Sequence, residues 1–204
     1  MALKSTFTAD LKKEQQLTPL LDAYYDKHLK HYRFERIKNK KQQFEGIDLI
    51  LTHKETGVSY LVDEKAQLDY INEDLPTFAF ELSYKKARII KKGWFFDKAK
   101  KTEFYSLITG IYSDAPSTYT SCKITIVNRK KLIDFLKEKG INESLLAAYV
   151  NKHATTHGKL KLRELNHRTE GYLYISTKNE AEKPVNLVFQ LGFLIENKLA
   201  KRLI

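Results

Sequence analysis

Two runs of β-branched and apolar residues, FEGIDLILTH (44–53) and VSYLVDEKAQ (58–67), are separated only by the turn KETG (54–57). That pattern predicts a β-hairpin. A hairpin with one buried face fixes which residues stand opposite one another, because slipping by one residue would turn every side chain to the wrong face. Charges interrupt both runs. Asp48 is flanked by apolar residues, and Asp63, Glu64 and Lys65 end a run that reads as a buried strand. Burying an uncompensated ion costs on the order of several kcal/mol. Either the strand emerges at a surface here, or the charges form a site.

Alternation along a strand puts Asp63 and Lys65 on one face and Glu64 on the other. The stretch from 48 to 63 can hold two paired strands and a short turn, so the two carboxylates can meet on one face. Such a pair repels itself unless a cation sits between its members. Hard oxygen ligands suit Mg²⁺, which keeps several waters and binds through one or two carboxylates plus substrate phosphate. Lys65 adds a positive charge for a phosphate oxygen or for orienting an attacking water. Together these groups are equipment for metal-assisted phosphodiester hydrolysis. The plainer alternative is a salt-bridged hairpin end whose Glu64 and Lys65 are solvated.

Around the hairpin, TPLLDAYYDKHLKHY predicts a helix with Thr18 as N-cap and Pro19 at its first position. TADLKKEQQ before it is either a separate helix or an earlier turn of the same one. LDYINEDLP predicts a loop, and TFAFEL, EFYSLITGIY and CKITIVN predict strands. RKKLIDFLKEKG predicts an amphipathic helix stopped by Gly140, and NESLLAAYVNKH a second helix capped by Asn142. GYLYIST and VNLVFQL predict a late hairpin, and LIENKLAKRL a helical tail. The order implies an α/β or mixed α+β fold around a central sheet. The expected division is a core over 1–139 and an extension over 140–204, packed on the core or part of the same domain.

The net charge is +11, from 36 Lys+Arg against 25 Asp+Glu. It predicts an anionic partner, nucleic acid foremost. The positive charge comes in short clusters that include Lys40 and Lys41, Lys91 and Lys92, and Lys100 and Lys101. These six are the expected backbone-gripping residues, although a charge run alone is equally a solvated surface. KKGWFFDKAKKTEFY mixes lysines with Trp94, Phe95, Phe96 and Tyr105. Two readings stand there: exposed aromatics that stack on bases, or core aromatics with only the lysines wet. No window approaches a membrane span. No apolar run of signal-peptide type occupies the first twenty residues, and the single cysteine, Cys122, suits a reducing cytoplasm.

Asp48 in GID, followed after a turn by Asp63-Glu64-Lys65 in DEKAQ, resembles the core of the PD-(D/E)XK, or restriction-endonuclease-like, nuclease superfamily. The resemblance implies an αβββαβ core with a mixed sheet flanked by helices. It implies that Asp48 and Asp63 ligate Mg²⁺, with Mn²⁺ as a substitute, and that the backbone carbonyl of Glu64 adds a ligand. Lys65 would serve catalysis. Gln67 matches a position where many members carry Gln, and Glu14 is the best candidate for the Glu that many carry on the preceding helix. Gln43 resembles a further polar position of some branches. The expected activity is hydrolysis of DNA phosphodiester bonds, with a homodimer implied by members that pair to cut two strands. The alternatives are a nucleic-acid-binding protein on the same fold that does not cleave, and a basic scaffold.

Other motifs carry less. HATTH (153–157) places two histidines at i, i+4, but Ala154 stands where a zinc protease has its Glu. His167 is the remaining candidate third ligand. No glycine-rich phosphate loop is present.

Overall fold

The structure is a computed structural model and describes residues 7–86, 89–116, 118–153, 155–178 and 182–204. In chain order the elements among those residues are α1 (Phe7–His28), β1 (Tyr32–Arg36), α2 (Lys40–Phe44), β2 (Leu49–His53), β3 (Ser59–Ala66), β4 (Thr77–Lys86), β5 (Ile89–Lys92), β6 (Phe104–Ala115) and β7 (Thr118–Asn128). They continue with α3 (Arg129–Glu138), α4 (Glu143–Lys152), β8 (Gly158–Leu160), β9 (Gly171–Ile175), β10 (Val185–Gln190), α5 (Leu191–Glu196) and β11 (Ala200–Arg202). The fold class is mixed α/β. The described residues form two compact units, each with its own sheet.

The first unit comprises residues 7–75, 100–129 and 200–204. Its sheet runs β1-β2-β3-β6-β7-β11. β3 and β6 are parallel, and every other neighbouring pair is antiparallel. Parallel neighbours require a long crossover. Here the leg from β3 to β6 carries β4 and β5 and, among the described residues, no helix.

Helix α1 lies on this sheet because Leu17, Leu21 and Tyr25 recur every fourth residue and are all buried, in one core with Leu49, Leu51, Val62, Ile108 and Ile124. Each fully buried leucine contributes roughly 2 kcal/mol. That stripe explains why α1 runs straight through Pro19, contrary to the predicted start at Thr18. The Thr18 hydroxyl donates one turn back to the Glu14 carbonyl instead of capping a new helix. Pro19 is exposed, and the helix forfeits one amide bond, a loss of roughly 3 kcal/mol that packing on both sides outweighs. TADLKKEQQ is therefore an earlier part of the same helix.

The second unit comprises residues 76–99 and 130–199 among those described. Its sheet, β5-β4-β10-β9-β8, is antiparallel throughout. The core is aromatic: the Phe80 ring lies 5.0 Å from Phe95, 5.5 Å from Trp94 and 5.7 Å from Phe189. This decides between the two readings of KKGWFFDKAKKTEFY. Phe95 and Tyr105 are fully buried, and Trp94 and Phe96 are partly so. Gly93 must be glycine, since a Cβ there would lie 2.4 Å from the Glu81 carbonyl oxygen.

The late hairpin is present as β9 and β10, and the Asn142 side chain accepts from the Leu145 amide as an N-cap. The helical tail is corrected. α5 ends at Glu196, Lys198 takes a positive φ of 57°, and residues 200–202 pair with β7. HATTH is not a helical pair. His153 is the C-cap of α4, Ala154 lies outside the described residues, and the His157 Nδ1 accepts from the Thr177 amide. No described helix is long and apolar enough to cross a membrane.

Candidate active site

The hairpin register pairs Leu49 with Val62, so the next step outward sets Asp48 opposite Asp63. The Asp48 amide donates to the Val62 carbonyl at 2.9 Å. Its carboxylate then accepts the Glu64 amide at 2.9 Å. A side chain thus takes over where the main-chain ladder would have continued, while the Asp48 carbonyl accepts from the Ile37 amide at 2.8 Å. The Asp48 and Asp63 carboxyls also come within hydrogen-bonding reach of one another. Asp63 is only 2% exposed, and the Lys65 ammonium lies 2.5 Å from its Oδ1. The geometry read from the sequence is therefore present: two carboxylates side by side, with the lysine on the same face.

Electrostatics follow from this crowding. Burial, then the Asp63 charge and the shared hydrogen bond, push the Asp48 carboxyl up to about 7, against the pull of Lys65 and the Glu64 amide. Asp48 therefore keeps its proton to a higher pH than a free carboxyl does. Burial alone would loosen the Lys65 proton. The charges of Asp63 and Asp48, with a smaller part from Glu14, reverse that and raise its pKa.

Glu14 is exposed on α1, and this end of the helix lies beside the end of β3, where the Lys13 ammonium approaches the Leu68 carbonyl at 3.5 Å. Gln67 continues the parallel pairing, its amide donating to Ile108 at 3.0 Å. Its side chain is partly buried. Gln43 is turned to another task, since its Nε2 donates to the Ile37 carbonyl at 2.9 Å.

Glu64 faces the opposite side of the sheet, as alternation requires. The Arg36 guanidinium lies 2.6 Å from its Oε2, and the Tyr25 hydroxyl donates to its Oε1 at 2.7 Å. Arg36 also holds Asp22 at 2.6 Å, and Ser106 and Tyr25 share a 2.8 Å bond. Burial and the Glu64 charge raise the Tyr25 pKa well above its usual value. This five-residue network anchors the back of the Asp63-Glu64-Lys65 main chain. The sequence reading missed it, although a trace was available: Arg36 alternates with Tyr32 and Phe34, and Glu64 with Tyr60 and Val62, on otherwise apolar faces.

The front is closed by Gly46. Its φ is +77°, and a Cβ there would lie 2.3 Å from Thr102 Oγ1 and 3.4 Å from Asp63 Oδ2. The Thr102 hydroxyl donates to the Gly46 carbonyl at 2.8 Å. The same straps gather four of the six expected lysines. Lys40 and Lys41 are exposed on α2, the Lys100 ammonium donates to the Phe44 carbonyl at 2.6 Å, and Lys101 pairs with Glu45 at 2.8 Å. Lys91 and Lys92 lie on β5 in the second unit, where Lys92 pairs with Glu143 at 2.6 Å. Cys122 is buried, and burial, then the Glu64 charge, push its thiol up to about 12, far from a nucleophile's range.

No match to this chain exists among protein-family models, curated proteins or solved structures. Among the described residues, no three His, Cys, Asp or Glu side chains gather as a metal cluster. A hydrated Mg²⁺ does not require one, because one or two carboxylates plus water and phosphate suffice. The donor set fits it: two hard carboxylate oxygen donors are held side by side at the end of the hairpin.

Proposed function

We propose that the chain is a Mg²⁺-dependent nuclease that hydrolyses DNA phosphodiester bonds, on a fold of the restriction-endonuclease-like, PD-(D/E)XK kind. The observation that carries this reading is the Asp48–Asp63 pair, Asp63 buried and Asp48 partly so, with Lys65 on the same face. The layout of the first unit supports it as well: helix α1, three antiparallel strands with the short α2 between the first two, and β6 parallel to the third, with Asp48 just before β2 and Asp63 on β3. The crossover departs from the αβββαβ pattern, carrying strands in place of a helix.

Asp48 and Asp63 would hold the cation, with the Glu64 carbonyl as a further oxygen. A bound Mg²⁺ supplies charge stabilisation at the scissile phosphate and favours ionisation of a coordinated water. Asp48 would ligate in its ionised form. Lys65 stays charged, held so by both acids, and can offset phosphate charge or orient the attacking water. Lys40, Lys41, Lys100 and Lys101 grip the backbone without reading sequence. Lys91 and Lys92 extend the basic surface of the second unit.

Plasmid and linear DNA incubated with Mg²⁺, Mn²⁺ or EDTA test the reading, with Asp63→Asn and Lys65→Ala variants shown to be folded by circular dichroism. Cutting that needs the metal and is lost in both variants is expected. Undiminished cutting in EDTA or by either variant refutes the assignment, as does no cutting in any metal. Binding without cutting would favour the non-cleaving nucleic-acid-binding alternative.

A further inference from the structure

Phe44 is 79% exposed, more than any other large apolar side chain among the described residues. A phenylalanine left in water forgoes the gain that burying its ring would bring. Nothing about its backbone is loose. The Lys100 ammonium holds its carbonyl, the Glu45 amide donates to Lys41, the Gly46 amide to Gln43 and the Ile47 amide to Gln42. Helix α2 buries none of its five residues, so the segment presents the ring outward from a fixed mount.

Two features of its surroundings indicate what the ring meets. Lys40 and Lys41 lie four and three residues before Phe44 on the same helix, which sets them beside it on the helix surface. The Lys41 charge is also felt at Glu45, which Lys101 holds below the usual carboxylate range. The ring is thus flanked by ammonium groups suited to phosphate. Second, Gly46 follows two residues later, and a Cβ built on it would lie 3.4 Å from Asp63 Oδ2. Two residues span at most about 7.6 Å between Cα atoms, so the mount stands next to the acid pair.

We propose that Phe44 is a stacking platform for an unpaired nucleobase adjacent to the phosphodiester held at Asp48 and Asp63. Base–aromatic stacking beside a lysine-lined backbone track is the general means of gripping single strands. The inference rests on the nuclease reading and narrows its substrate: single-stranded, frayed or junction DNA is cut in preference to intact duplex, because duplex bases are not free to stack on the ring.

The test separates the two claims by measuring binding in EDTA and cutting in Mg²⁺. The probes are a single-stranded deoxyoligonucleotide carrying 2-aminopurine and a fully abasic strand of the same length. Phe44→Ala is expected to weaken binding of the first on the order of 10- to 100-fold, the range of one lost stacking contact, and to leave abasic binding unchanged. Phe44→Trp is expected to retain affinity, with base-dependent quenching of the new indole read against the Trp94 background of wild type. Equal affinity of wild type and Phe44→Ala for the base-bearing strand overturns the proposal, and so does an equal loss on the abasic strand. If Phe44 governs binding but no metal supports cutting, stacking stands and the nuclease reading falls. If cutting proceeds and Phe44 has no effect on base-bearing strands, the stacking proposal falls alone.

Discussion

Replacing Asp48 with asparagine should make the metal-free protein more stable, and the gain should appear only as pH rises. In the fold the Asp48 carboxyl titrates at about 7 against 3.8 for a free side chain. Each unit is worth about 1.36 kcal/mol, so ionising it in the fold costs about 4 kcal/mol. Remaining solvent contact makes this a ceiling. Because the folded pKa is the higher one, the folded state binds the extra proton. Stability from this group is intact below pH 4, falls between pH 4 and 7, and is fully lost above 7. From pH 5 to pH 8 the loss is about 3 kcal/mol. For a chain of this size that is about 6–12 °C in melting temperature. Asparagine mimics the protonated acid: its oxygen can accept the Glu64 amide and its amide can donate to Asp63. Melting followed by calorimetry at pH 5 and pH 8 should show the variant well above wild type at pH 8, with the gap mostly closed at pH 5. Millimolar Mg²⁺ at pH 8 should raise wild type alone, since a ligand of the folded state stabilises it by mass action. A gap that is constant with pH, or wider in acid, would refute the repulsion between the two acids.

Three further outcomes follow from the same site. Arg36→Ala should destabilise by about 3 kcal/mol in urea titration, because Glu64, 15% exposed, loses its cation; Arg36→Lys should recover only part, lacking the fork that reaches Asp22 and Glu64 together. A loss under about 0.5 kcal/mol would remove the network from the account. Gly46→Ala should cost about 1–3 kcal/mol and weaken metal-dependent protection at Asp63, since the added methyl meets Thr102 Oγ1 in a left-handed backbone. Cys122 should react with a thiol reagent at a small fraction of its rate in denaturant; rapid labelling of the native protein would contradict its burial.

The acid pair was legible because a hairpin leaves little freedom. Once Gly57 turns the chain, the period of two decides that 48 meets 63 and that 65 shares its face. Asn142 and the β9–β10 hairpin were legible for similar local reasons. Long-range pairing was not. No residue of TFAFEL announces that β4 joins β10 in a second sheet, or that β3 instead finds β6 in parallel, because both partners are apolar and β-branched or aromatic. Residues 200–202 read as helical, and only their partner β7 makes them a strand. Pro19 misled for a different reason: a helix start is a local preference, and the Leu17–Leu21–Tyr25 stripe outweighs it. The run FEGIDLILTH places Phe44 in the coming strand, whereas it closes helix α2, where Asn39 caps the start and Lys100, distant in sequence, binds the Phe44 carbonyl.

The Asp48 carboxylate completes a β-ladder by receiving an amide that would otherwise have lacked a main-chain acceptor. Position 48 therefore meets an architectural demand that is separate from the proposed chemistry. Whatever the site does, the Glu64 amide needs an acceptor there, and an asparagine would supply one without adding a second charge beside Asp63.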